Sequence, residues 1–184
     1  MKLPPRSRRT HIKKCVAALH YDFRNFALEH FIDYLNANRQ RPIRLTPFPT
    51  HLNIGMWARG QRIDYALFAQ NAHIHPVLQE HIALHEIAHI LLDHPTKTVD
   101  ELTETERAHV AHLPATAFTG VLMRLHDSPL DTPIEIEAEY MATLVKQRII
   151  DARHRYTWNG QLSSINGMDA IAENLQFFDD KLEH

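Results

Sequence analysis

The sequence predicts an α+β fold, a small and mostly antiparallel sheet packed with helices, in one domain covering 1–184. Three observations carry this. Apolar residues recur at helical spacing from Ile12 to Asn38. Short extended runs bounded by prolines and polar residues follow between Ile43 and Ala69. Two later stretches, opened by Pro76 and by Thr132-Pro133, read as helices with proline at the first helical position.

Composition narrows the class. A chain of 184 residues that is 44% hydrophobic, with only five glycines, can bury a core and is not disordered throughout. The formal net charge of -2 argues against a mainly electrostatic nucleic-acid binder. Cys15 is the single cysteine, so no internal disulfide can form and a reducing compartment fits. No apolar stretch reaches the roughly 18 residues of a membrane-spanning helix. The basic start leads into Asp22, Arg24 and Asn25 rather than a clean apolar signal region. The expected location is the cytoplasm. With 15 histidines in the chain, any histidine motif needs support from its context.

In chain order, residues 1–10, with Pro4, Pro5, Arg6, Arg8 and Arg9, read as a loose basic arm. Val16, Leu19, Phe23, Phe26, Phe31 and Leu35 then predict one long amphipathic helix over Ile12–Asn38. Pro42 ends it. Extended segments follow at Ile43–Phe48, near Asn53–Ala58, and at Arg62–Ala69. In the last, Ile63, Tyr65, Leu67 and Ala69 alternate with Asp64, Ala66 and Phe68, and Phe68 implies partial cover on both faces. Val77–His94 is apolar on more than one side and stops at Pro95, which predicts a deeply packed helix. Glu101–Leu113 reads as a polar helix broken by Pro114, and Ala115–Leu125 as an apolar one. Thr132-Pro133-Ile134-Glu135 is a capping-box pattern for a helix running to about Arg155. An amphipathic piece, Met168–Phe178, lies in the tail.

The chemistry concentrates in His85-Glu86-Ile87-Ala88-His89, an HExxH motif. Residues four apart share one helix face, so both imidazoles can reach one ion, and zinc accepts two neutral histidine nitrogens readily. Glu86 sits beside the pair, where a carboxylate can take a proton from an attacking water and deliver it to a leaving amine. Two bare imidazoles and a carboxylate in an apolar helix are costly unless they are partnered. A catalytic zinc site needs a third protein ligand. The extended motif HExxHxxGxxH fails, because Leu92 and Pro95 occupy its last two positions and His94 falls one residue early. A later glutamate is the alternative, from Glu135, Glu137 or Glu139. Glu135 is preferred, with Glu139 one turn on to hydrogen-bond a ligating histidine, and Glu137 is kept as the other choice. Asp93 is either close to the site or a surface residue at the helix end, and His94 reads as a helix-end residue.

HEIAHILLDH (85–94) and EIEAEYMATLV (135–145) together resemble the ImmA/IrrE-like metallopeptidases. The first is similar to that family's HExxH helix with a further histidine five residues on. The second is similar to its ExxAN-x-FA segment, and Glu135 falls on its third zinc ligand. Glu139 stands where the family usually has Asn or Asp, Met141 for its Phe, and Ala88 for the motif glycine. The resemblance covers about 60–146. It implies a zincin-like fold, a zinc cofactor on His85, His89 and Glu135, and Glu86 as catalytic base. It further implies a narrow-specificity endopeptidase acting on a helix-turn-helix repressor in phage, mobile-element or stress control. Segment 62–69 is then a candidate sheet edge for an extended peptide substrate. Tyr140, His112 and His126 are candidate oxyanion donors. Three rival readings use the same residues or the basic arm. They are an inactive binding module acting on a transcription factor or in a toxin-antitoxin pair, a DNA-contacting regulator using Lys2–Lys14, and a zinc hydrolase of non-peptide substrates.

Overall fold

Ile12 and Val16, one turn apart, give the first helix, α1 (Arg6–Ala17), its buried stripe. The computed structural model describes residues 3–49, 55–60, 62–70, 75–98, 101, 104, 122–125 and 132–164. After α1 the chain leaves helical geometry. The Asp22 side chain accepts a hydrogen bond from the Arg24 N–H and opens a 3-10 turn, Phe23–Asn25, and α2 (Leu28–Asn36) follows. The single helix expected over Ile12–Asn38 is therefore two. The aromatic residues explain the break. Tyr21 and Phe23 meet edge to face with centroids 5.1 Å apart, which residues two apart on one helix cannot do. Tyr21 makes the same kind of contact with Phe31 at 5.1 Å. Packing these rings together is worth more than continuing the helix across them. The basic arm also differs from expectation: Arg6–Thr10 are the opening turns of α1, and Arg8 reaches across the molecule to Glu137.

The extended segments form one sheet. Its strands are β1 (Ile43–Pro49), β2 (Gly55–Arg59), β3 (Asp64–Gln70), β4 (Lys97–Thr98) and β5 (Leu122–Leu125), in the order β1-β3-β2-β5-β4. β1 and β3 run parallel, and the other neighbours are antiparallel. The fold is thus α+β with a small mixed sheet. Three expectations change or fall away. Leu122–Leu125, placed in an apolar helix, is a strand, because pairing with the edge of β2 outweighs local helical preference. Segment 62–69 is not an edge: β3 is paired on both sides, to β1 and to β2. Glu101–Leu113 apart from Glu101 and Glu104, 115–121, and Met168–Phe178 lie outside the described residues.

The outer edge of β1 is closed to another strand. The Ile43 N–H donates to Asn36 Oδ1 at 2.6 Å, and Asn36 Nδ2 donates back to the Ile43 carbonyl at 2.9 Å. Residues two apart on a strand present their backbone groups on the same edge, so Leu45, Pro47 and Pro49 share that outward side. The two prolines carry no N–H. Leu45 is left as the one outward donor of this strand, which is poor material for strand addition.

The third helix, α3 (Pro76–Leu91), lies on β2 and β3 with α4 (Pro133–Ser164) against it, and α1 packs on α4. Every residue from Ile82 to Ile90 is buried, which is why this helix is apolar nearly all round. Ala66 and Leu67 are adjacent and both buried, so β3 is covered on both faces as expected. α4 runs past Arg155 to Ser164. Among the described residues no helix is long and apolar enough to cross a membrane.

Replacing Asn36 by alanine should cost about 1–2 kcal/mol, since it strips both hydrogen bonds from Ile43. Urea unfolding measures this, and an unchanged midpoint would mean that the edge is not held by Asn36.

Candidate metal centre

α3 places His85 and His89 one turn apart on the face that meets the first turn of α4, where Glu135 sits. All three side chains are buried, at 3%, 1% and 1% exposure. His85 Nε2 and His89 Nε2 are 3.0 Å apart. Glu135 Oε2 is 3.1 Å from the first and 3.4 Å from the second. These three atoms form the one group of at least three His, Cys, Asp or Glu ligand atoms, among the described residues, that could hold a metal ion. The spacing fits an ion. Bonds of about 2.0 Å in a tetrahedron put neighbouring ligands about 3.3 Å apart.

The far side of each imidazole fixes which nitrogen faces inward. His85 Nδ1 lies 3.2 Å from Glu139 Oε2, and a carboxylate only accepts, so Nδ1 carries a proton and Nε2, which faces Glu135 at 3.1 Å, is the nitrogen a metal ion would take. His81, one turn before His85, holds the same carboxylate at 3.1 Å. Glu139 thus occupies the position expected for it, behind a candidate ligand. On the other side, His89 Nδ1 lies 2.8 Å from His94 Nδ1. His94 Nε2 is 3.4 Å from Glu137 Oε2, and Arg8 Nε donates to Glu137 Oε1 at 2.9 Å. Glu137 therefore faces Arg8 and His94 and is not in the three-ligand group.

Electrostatics follow from this wiring. Burial pulls the His85 pKa down, but its bonds to Glu135 and Glu139 and the nearby charge of Glu86 prevail and push it up to about 9. For His89 burial dominates, the bond to Glu135 opposes it, and the charges of His85 and His94 help lower it to about 4. Without a cation the pair therefore carries one positive charge at neutral pH, on His85. His81 and His85 hold the Glu139 carboxyl far below the usual range. Burial works to raise the Glu137 pKa, but Arg8 and His94 lower it.

Glu86 is buried, at 2% exposure. It rests against the start of β2, where Gly55 leaves the room. A Cβ at Gly55 would overlap Glu86 Oε1 and stand 2.8 Å from Glu86 Cγ and 2.7 Å from Ile82 Cγ2. Of the oxyanion candidates, Tyr140 belongs to the apolar core of α4, and His112 and His126 lie outside the described residues.

The end of α3 explains His94. The Asp93 N–H bonds the Ile90 carbonyl at 3.3 Å, and the His94 N–H reaches back to the His89 carbonyl at 3.1 Å. Asp93 has φ 51°, so the helix closes in a Schellman motif with a non-glycine residue in the left-handed position. The Asp93 carboxylate meets Arg59 at the surface and not the metal centre. This turn folds His94 beneath His89 and buries it to 2% exposure. His94, read as a helix-end residue, is thus a partner of His89. The sequence reading passed over His81 and Arg8. The i, i+4 spacing of His81 and His85 could have identified the first, whereas a contact 129 residues apart leaves no local signal for Arg8.

Comparison with protein-family models, curated proteins and solved structures gives no match to this chain.

The wild-type protein should bind about one divalent metal ion per chain, and His89→Ala and Glu135→Ala should lose it; elemental mass spectrometry reads this directly. The His85 pKa is pushed up to about 9 by Glu135 and Glu139, so a bound metal ion would displace a proton from it. Affinity should therefore rise from pH 7 toward pH 9, and calorimetry in buffers of different ionisation enthalpy should find release of about one proton. Zinc binding without proton release would contradict this assignment.

Proposed function

We propose that this protein is a zinc-dependent endopeptidase of narrow specificity with a zincin-like core. The reading rests above all on one observation, the convergence of His85 Nε2, His89 Nε2 and Glu135 Oε2 in a buried interface beside Glu86. Zinc held by these three side chains would supply Lewis acidity, activating water and polarising a substrate carbonyl. The chain's own groups have separate tasks. Glu139 and His94 hold the two imidazoles from behind, so both present the nitrogen that can ligate. Glu86, which lies with Ile82 against the backbone at Gly55, is the proton carrier. Its carboxylate takes a proton from the attacking water and gives it to the amine as the peptide bond breaks. The apolar faces of α3 and α4 exclude bulk water from this exchange.

The substrate class comes from the resemblance to ImmA/IrrE-like peptidases, a helix-turn-helix regulator. The closed edge of β1 and the paired edges of β3 point to a substrate strand entering elsewhere on the sheet.

Zinc-loaded wild-type protein, incubated with lysate of its source cells, should generate new N-termini in very few proteins. Glu86→Gln should keep its zinc and lower this cleavage roughly 10²–10⁴-fold, the usual worth of a general base. Gly55→Ala should also keep zinc while reducing cleavage, because the added methyl displaces Glu86. Bound zinc with no new N-termini would favour a zincin-like module that binds a regulator without cutting it.

A further inference from the structure

We propose that Arg8, Glu137 and His94 form a positioning chain that fixes the tautomer and aim of His89, so that zinc affinity depends on a residue of the first helix. This rests on the zinc reading above. The chain runs from Arg8 Nε through Glu137, then from Glu137 Oε2 to His94 Nε2 at 3.4 Å, and from His94 Nδ1 to His89 Nδ1 at 2.8 Å.

The proton positions follow in order. Glu137 is ion-paired with Arg8, so its carboxylate accepts. A neutral His94 then carries its proton on Nε2, toward Glu137, and offers the Nδ1 lone pair. His89 must then donate from Nδ1, which leaves its Nε2 lone pair facing Glu135 and His85. Reversing any link would put a proton on the ligating nitrogen. The geometry is built and not incidental. His94 is 2% exposed, and it reaches its place only because Asp93 takes the left-handed conformation that ends α3. His89 and Glu137 stand on different helices, α3 and α4, and Arg8 ties both to α1. Arg8 is the outer end of the chain, with its side chain 43% exposed against 7% for Glu137. It can be changed without opening the core.

The test measures zinc affinity of the full chain by competition with a chromophoric chelator, for wild type, Arg8→Gln, His94→Leu and the double variant. Thermal unfolding in excess chelator reports structure separately. Long-range proton–nitrogen spectra of the histidines read the His89 tautomer. His94→Leu should weaken zinc roughly 10–100-fold, as losing the partner behind a ligating imidazole does. Arg8→Gln should weaken it less, and should add nothing in the His94→Leu background, because the residues act in series. The Nδ1–H form of His89 should dominate in wild type and lose ground in both single variants. Equal zinc affinity in all four proteins would overturn the proposal while leaving the metal centre intact. Additive effects of the two substitutions would overturn it too. So would losses of affinity matched by lower unfolding midpoints in chelator, which mark a merely structural role. A wild type that binds no zinc would remove both this proposal and the metal reading.

Discussion

The structure depends on a polar seam inside an apolar interface. His85, His89 and Glu135 meet where α3 and α4 pack, with Ile82, Leu84, Ile87, Ala138, Met141 and Ala142 buried around them. Bringing two imidazoles and a carboxylate into such surroundings costs several kcal/mol for each charge that is not compensated. The rest of the fold can be understood as compensation. Glu139 and His81 support one imidazole, His94 and Glu137 the other, and Arg8 closes the second line from α1. The sheet contributes by yielding space: β2 opens on Gly55, and Glu86 occupies the volume a side chain would take.

Local chemistry made part of this legible. The HExxH spacing carried His85, Glu86 and His89 directly, because four residues make about one helical turn. The start of α4 was legible for the same reason, through Thr132-Pro133 and the acidic first turn that holds Glu135. The strands were found but not their neighbours. The apolar pattern says that both faces of β3 are covered, and says nothing of which strand lies on either side. That is why β3 looked like a free edge. The break between α1 and α2 was hidden for a related reason, since Tyr21, Phe23 and Phe26 keep an apolar pattern compatible with a helix while their rings converge on Phe31.

His94 marks the limit more sharply. Spacing five after His89 puts it off the ligand face of any continuing helix, and a proline follows it. The helix does not continue. A left-handed Asp93, tied to Arg59 at the end of β2, turns the chain so that His94 lies under His89. Nothing in a hydrophobic period announces a left-handed aspartate, because glycine or asparagine is the usual signal at that position.

Charge balance joins these parts. Glu86, Glu135, Glu137 and Glu139 bring four carboxylates to the α3–α4 contact. Arg8 and the proton on His85 offset two of them. The remaining negative charge is what a dication would meet. When an ion takes the place of the His85 proton, the gain in positive charge is one unit. The two lines behind the imidazoles already commit Glu137 and Glu139 to Arg8 and to the histidines. Glu135 would be a ligand. Glu86 stands outside these two lines, against Gly55.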